Sequence, residues 1–285
     1  MLLIVFSMLL WSSIGIILKT TEIDTFLTIF LTNIISIFLF FIYLLLFNKF
    51  NILKVNHSVL VTIFIVSILA SLNTITFFYS YENTTVAYAV ITHYTAPFFV
   101  SVLALIFLKE RINLKIILSL VTATIGMYLI LNISIEDFYK QLIAGHNHTL
   151  GIVSGTASGL FYAILIIIYK KLLHNTNPIQ VIIYQNLFIA LIVFPFISIS
   201  DNISTYLPQL FYMGIFLSTL SPILYLKGVK QVRANTAAIL GYIEPLSAII
   251  LSIILLGETI NFIMIIGGLM ILSSGLICTL YQKNN

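Results

Sequence analysis

The sequence predicts an all-α integral membrane protein, with ten transmembrane helices arranged as two inverted five-helix repeats. Three observations predict it. Of 285 residues, 60% are hydrophobic and only 8% are charged, whereas a soluble domain is about a quarter charged. Ten apolar stretches approach the roughly 20 residues that a helix needs to cross the hydrocarbon. Residues 86–117 also align with 234–265 at a constant offset of 148, without a gap.

The composition excludes a cytosolic globular enzyme, a disordered chain and a nucleic-acid-binding module. A soluble chain of this kind would have to hide more apolar surface than one core can hold. The net charge of +4 comes from 13 basic residues scattered between apolar runs. It therefore reports orientation and contact with membrane lipid rather than a nucleic-acid partner. The single cysteine, Cys278, cannot form an intramolecular disulfide.

The predicted spans run 2–18, 26–47, 59–80, 86–108, 114–132, 150–169, 180–199, 206–226, 235–256 and 260–281. The first lacks a basic leader and an Ala-x-Ala cut site, so it is expected to remain as a helix. The links are short and hold breakers or charge, as at Asn48-Lys49, Glu82-Asn83, Asn175 to Pro178 and Asp201-Asn202. The longest link, 133–149, carries Glu136, Asp137, Lys140, His146 and His148. It divides the chain into a first repeat, 1–132, and a second, 150–285. The runs are continuously apolar rather than alternating, which excludes a β-barrel.

With a cytoplasmic N-terminus, eleven of the 13 basic residues fall inside, and Lys19 and Lys140 fall outside. That bias predicts a multi-pass protein of the cell membrane with both termini cytoplasmic. Seven of the nine acids lie outside, among them Glu22, Asp24, Asp201 and Glu258.

The repeat pairs Tyr94 with Tyr242, Pro97 with Pro245, Glu110 with Glu258, Ile112 with Ile260 and Asn113 with Asn261. Each half has an odd number of spans, so the second is inserted upside down. Inverted repeats are an architecture of secondary transporters, with the substrate site near the midplane between the halves.

The span with a mid-helix Pro97 ending in Leu108-Lys109-Glu110-Arg111-Ile112, and its echo Tyr242-x-Glu244-Pro245 followed by Leu256-Gly257-Glu258-Thr259-Ile260, resemble the EamA repeats of the drug/metabolite transporter superfamily. The resemblance covers essentially the whole chain. It implies a ten-helix carrier that moves small metabolites by alternating access, and it is poorly specific for substrate, since members handle amino acids, choline and other metabolites. Many members carry Arg in the second helix, where this chain has Thr32-Asn33, and a polar residue where it has Ala96.

Glu244 is the leading site residue. It lies ten residues into its span, about 15 Å deep at 1.5 Å per residue. An ionisable group at that depth is a functional candidate by default. Ala237, Gly241, Ser247 and Ala248 surround it on the helix, leaving either a cavity or a tight helix contact. A carboxyl there would bind a cation or a proton alternately. His93, one turn outside Ala96, would approach it across the pseudo-twofold axis and relay a coupling proton. Tyr94, Tyr242, Trp11, Tyr79 and Tyr162 offer ring faces to a cation, and Tyr184 and Tyr225 extend the set. Pro97 and Pro245 free the carbonyls of His93 and Gly241 for a kink that gates the path. Each residue also has a structural alternative: a neutral hydrogen-bonded Glu244, a His93 satisfied by a hydroxyl such as Thr92, and tyrosines that only pack. Asn33 and Gln185-Asn186 would glue helices or line the pathway, and Ser154 to Gly159 forms a close-packing face.

The function expected is gradient-driven or exchange-driven transport of a small cationic or zwitterionic molecule, of amino-acid or quaternary-amine type. Neither a cofactor nor a metal site is expected; the partners are the substrate, lipid and a coupling proton, and the protein is a monomer or homodimer. A non-transporting scaffold stays open as an alternative. An intramembrane enzyme fits less well, because paired Asp, His-rich boxes and a Ser/His dyad near an interface are not seen.

Overall fold

A computed structural model of the protein describes residues 1–20, 23–84, 86–131, 146–198, 203–256 and 262–283, with residues 136, 139, 140 and 143 between them. Glu22, Asp137, Asp201 and the repeat segment Gly257 to Asn261 lie outside the described residues. So do the side chains of Lys19, His146 and Lys283.

The described residues form helices and connecting turns. In chain order the helices are α1 (Leu2–Trp11), α2 (Ile14–Thr20), α3 (Thr25–Leu46), α4 (His57–Asn83), α5 (Val86–His93), α6 (Ala96–Phe107) and α7 (Leu114–Leu131). They continue with α8 (His146–Leu172), α9 (Pro178–Val193), α10 (Leu207–Tyr212), α11 (Ser221–Gln231), α12 (Ala234–Gly241), α13 (Ile243–Leu256) and α14 (Phe262–Lys283). Every predicted span carries helix. Six helical stretches are long and apolar enough to cross a membrane: Thr25–Leu46, His57–Asn83, Tyr88–Phe107, Asn147–Leu172, Pro178–Phe196 and Ile203–Gln231. Shorter apolar helices lie at Leu2–Ile17, Leu114–Leu129 and Phe262–Cys278.

The polar residues in the links act as helix starts. Asp24 accepts from the Leu27 amide at 2.9 Å, Asn113 from Ile116 at 3.0 Å and Asn177 from Ile179 at 2.9 Å. Each satisfies an amide that the first helical turn leaves without a partner. The outer faces are apolar, with Leu46 at 74%, Ile254 at 69% and Leu276 at 63% exposure. Such a surface suits lipid rather than water. The interior holds polar side chains, including Ser36, Asn33, Asn186 and Ser158. These features describe a multi-pass membrane protein.

Three ends differ from expectation by four residues or more; one is the eighth span, whose helix runs on to Gln231 instead of 226. The seventh predicted span closes early: α9 ends at Val193, and Pro195 turns the chain through one 3-10 turn at Phe194–Phe196. The sixth begins early, at His146 instead of 150. His146 and His148 are therefore helical rather than in a loop.

The two repeat-related segments break at matching places. Tyr94 and Thr95 separate α5 from α6, and Tyr242 separates α12 from α13. In each case the proline three residues on from the tyrosine cannot donate to the carbonyl one turn back. Tyr94 and Tyr242 stack with centroids 5.6 Å apart, and the Tyr242 hydroxyl donates to the Tyr94 carbonyl at 3.1 Å. The two tyrosines that the sequence repeat pairs are thus in direct contact.

Residues 213–220 form a π-helical stretch between α10 and α11. Pro222 has no N–H, so it can pair neither with Ser218 O in an α register nor with Leu217 O in a π register. Side chains from other helices serve these carbonyls instead. Trp11 Nε1 donates to Leu217 O at 3.0 Å, and Ser36 and Asn186 donate to Ser218 O at 3.0 and 3.1 Å.

Candidate functional site

A cavity of about 280 Å³ lies between the halves of the chain. Trp11, Asn33, Asn73, His93 and Tyr94 line it from residues 1–132, and Tyr162, Gln185, Asn186, Tyr225 and Glu244 from residues 150–285. Lys and Arg are absent from its described lining. Glu244 lies in the first turn of α13, one residue before Pro245. Tyr94, Tyr162 and Tyr225 share the cavity lining with it. Its surroundings are thus aromatic and hydroxylic, without a cation.

His93 ends α5 at the helix break. The small face of α8 brings it into position. A Cβ on Gly159 would meet the His93 carbonyl at 2.5 Å, and one on Gly155 would overlap the Thr92 hydroxyl. Only glycine permits this approach. It sets fully buried Ser158 against the imidazole, with Nδ1 to Oγ at 2.8 Å. The Ser158 hydroxyl hydrogen goes to Gly155 O at 2.7 Å. With the hydroxyl hydrogen so placed, Nδ1 donates and Nε2 is the accepting nitrogen of a neutral ring. The imidazole stacks on Phe77 with centroids 4.2 Å apart.

The aromatic wall is cross-linked. Tyr162 and Tyr225 share a hydroxyl bond of 2.7 Å, Trp11 leans on Tyr225 at 5.2 Å, and Tyr169 donates to Gln185 Oε1 at 2.7 Å.

A family model described as the EamA-like transporter family matches residues 1–132 and 149–280. The chain belongs to the EamA-like transporter family. An uncharacterized transporter of Archaeoglobus fulgidus is 31% identical over 196 residues, which cover 69% of this chain and 68% of that protein. An uncharacterized transporter of Bacillus subtilis, YxxF, is 24% identical over 206 residues, covering 69% of this chain and 64% of that protein. A solved crystal structure superimposes with a TM-score of 0.82, over 99% of this chain and 97% of that one, at 15% identity. That likeness concerns the fold alone. Family and relatives place this EamA protein among membrane transporters in general.

Of the residues singled out in the sequence, the EamA cavity gathers Glu244, His93, Tyr94, Trp11 and Tyr162. Tyr242 is fully buried behind Tyr94, its hydroxyl also 3.2 Å from Thr124 Oγ1. Tyr79 is 38% exposed on α4 and outside the lining. Pro97 and Pro245 follow the two breaks. Sequence reasoning passed over Asn73 and read Ser158 only as part of a close-packing face, because an uncharged polar residue inside an apolar run does not announce its neighbours. Asn73 donates to Ser158 O at 2.7 Å and lines the cavity. The expected choice between glue and lining for Asn186 is a false one: it bridges to Ser36 Oγ at 2.8 Å and lines the cavity as well.

A second acid also has an unexpected partner. Sequence spacing expects Glu110 to cap or pair locally, with Lys109 and Arg111 available. Instead its carboxylate accepts from Ala234 N at 2.8 Å, Asn235 N at 3.4 Å and Asn235 Nδ2 at 3.0 Å, capping α12 across the repeat boundary. Arg233 Nε lies 3.8 Å away. The chain folds so that α6 ends beside the start of α12, which spacing along one helix cannot reveal.

Proposed function

We propose that this chain is a secondary carrier that moves a small cationic or zwitterionic metabolite by alternating access. In this reading ten transmembrane helices form two inverted repeats, 1–132 and 150–285, joined by the 133–149 linker. Both termini are cytoplasmic and the protein sits in the cell membrane. The family model's two separate matches and the contact between Tyr94 and Tyr242 support the paired arrangement.

One observation carries the substrate class. The cavity between the halves holds an acid, Glu244, and no described Lys or Arg to neutralise it. A carboxylate kept from water needs a cation or a proton as partner. The substrate supplies one and a coupling proton the other, so loading and release exchange the two. His93 would hold the proton in transit. The rings of Trp11, Tyr94, Tyr162 and Tyr225 complete the cationic site. Tyr242 supports Tyr94 from behind.

Purified protein reconstituted into liposomes tests this reading. Uptake of a radiolabelled amine or amino acid, driven by an imposed proton gradient or by counter-substrate, is expected. Retained folding with no uptake across amino acids, polyamines and quaternary amines would favour the scaffold alternative.

A further inference from the structure

The hydrogen-bonding ends presented to the cavity are unevenly divided. The Asn33 amide nitrogen donates to Ile29 O at 2.7 Å, and the Asn73 amide nitrogen to Ser158 O at 2.7 Å. Asn186 uses its nitrogen on both Ser36 Oγ and Ser218 O. These partners fix the amide orientations, because a backbone carbonyl can only accept. An amide anchored through its nitrogen presents its oxygen at the opposite edge. Among the described residues none of the three oxygens has a hydrogen-bond partner, and all three asparagines line the cavity. The Trp11 N–H is engaged by Leu217 O, and the His93 Nδ1 hydrogen by Ser158. What remains open includes five acceptors, the Asn33, Asn73 and Asn186 carbonyl oxygens, His93 Nε2 and the Glu244 carboxyl, beside the unpartnered Ser71 hydroxyl, which can donate or accept. Gln185 runs the other way, its oxygen taken by Tyr169 and its nitrogen free to donate.

An aromatic cage alone would suit a quaternary ammonium, which has charge but no N–H. Acceptors within the cage change what it favours. We infer that the substrate presents a protonated nitrogen bearing N–H donors, a primary or secondary ammonium or a guanidinium, and that the cavity discriminates against fully N-methylated cations. The inference rests on the cavity being the substrate site. Its physical basis is that polar groups buried without a partner are costly, so an analogue lacking the donor leaves the acceptors stranded.

The test is a series that removes N–H groups one at a time while keeping the charge. Binding of ethanolamine, N-methylethanolamine, N,N-dimethylethanolamine and choline to the full chain in lipid nanodiscs is measured by calorimetry. The matched pair n-butylamine and butyltrimethylammonium is measured alongside. Affinity is expected to fall along the series, with choline at least tenfold weaker than ethanolamine and the butyl pair in the same order. Choline or butyltrimethylammonium binding as tightly as its N–H counterpart, or more tightly, overturns the inference and leaves the cation-carrier reading standing. Binding of no cation in either set to folded protein, together with uptake of a neutral or anionic solute, overturns both.

Discussion

Glu110 and Glu244 are both withdrawn from bulk water, and the protein treats them in opposite ways. Glu110 joins the end of α6 to the start of α12, and its oxygens take two backbone amides and one side-chain amide. Asn235, one of those partners, also accepts from Ser101 Oγ at 2.7 Å. Nearby, Lys170 caps the carbonyls of Val229 and Val232. Around Glu244 there are hydroxyls and ring faces, and acceptors that lack donors. A closed polar network fixes geometry; an open one waits for a ligand. The difference sets Glu110 in the architecture and, under the proposed function, Glu244 against the substrate.

The comparison can be broken in several places. The largest effect on stability should come from the seam that supports the cavity. Gly159→Leu forces a side chain against the His93 carbonyl. It is expected to cost about 2–3 kcal/mol as overpacking, seen as a lower melting temperature and poor recovery of folded protein. A tolerated leucine would mean that α5 and α8 do not meet as described. Glu110→Gln comes next. It keeps an acceptor but loses the charge that caps α12, for an expected loss of about 1–2 kcal/mol. Uptake per folded molecule should stay within about threefold of wild type. A large transport defect at unchanged stability would place Glu110 among the functional acids and erase the contrast.

His93→Phe keeps the stack on Phe77 but removes the Nε2 acceptor. It should narrow the preference for ethanolamine over choline by a few-fold, roughly the worth of one hydrogen bond, while choline affinity stays within twofold. The smallest effect is expected at Lys109, which has a left-handed backbone with φ of 55°. Lys109→Gly should raise stability by about 0.5–1 kcal/mol, read as a modest rise in melting temperature.

Much of the fold was legible because membrane helices are long, apolar and bounded by polar starts such as Asp24 and Asn177. Glu244 was legible because a deep acid without a topological role stands out in so apolar a chain. Pro97 and Pro245 marked both helix breaks. The π-helical stretch at 213–220 was not legible. Pro222 alone signals a kink, and the register depends on Trp11, Ser36 and Asn186, which come from distant helices. The acceptor-rich lining was hidden for the same reason. Whether an asparagine presents its oxygen or its nitrogen depends on the carbonyl that it meets across the bundle. Lys109 read as an orientation charge, and nothing in the motif showed its left-handed backbone. By alignment its counterpart is Gly257, the residue type that suits such a turn.

The measurement that bears most directly on the cavity as substrate site is proteoliposome uptake by Glu244→Gln beside wild type, across a range of pH and at matched folded protein. Removing the carboxylate should lower uptake of a cationic amine at least a hundredfold, flatten its pH dependence and leave the melting temperature unchanged or higher. Uptake and pH dependence equal to wild type would contradict the assignment of Glu244 and, with it, the cavity as the place where substrate binds.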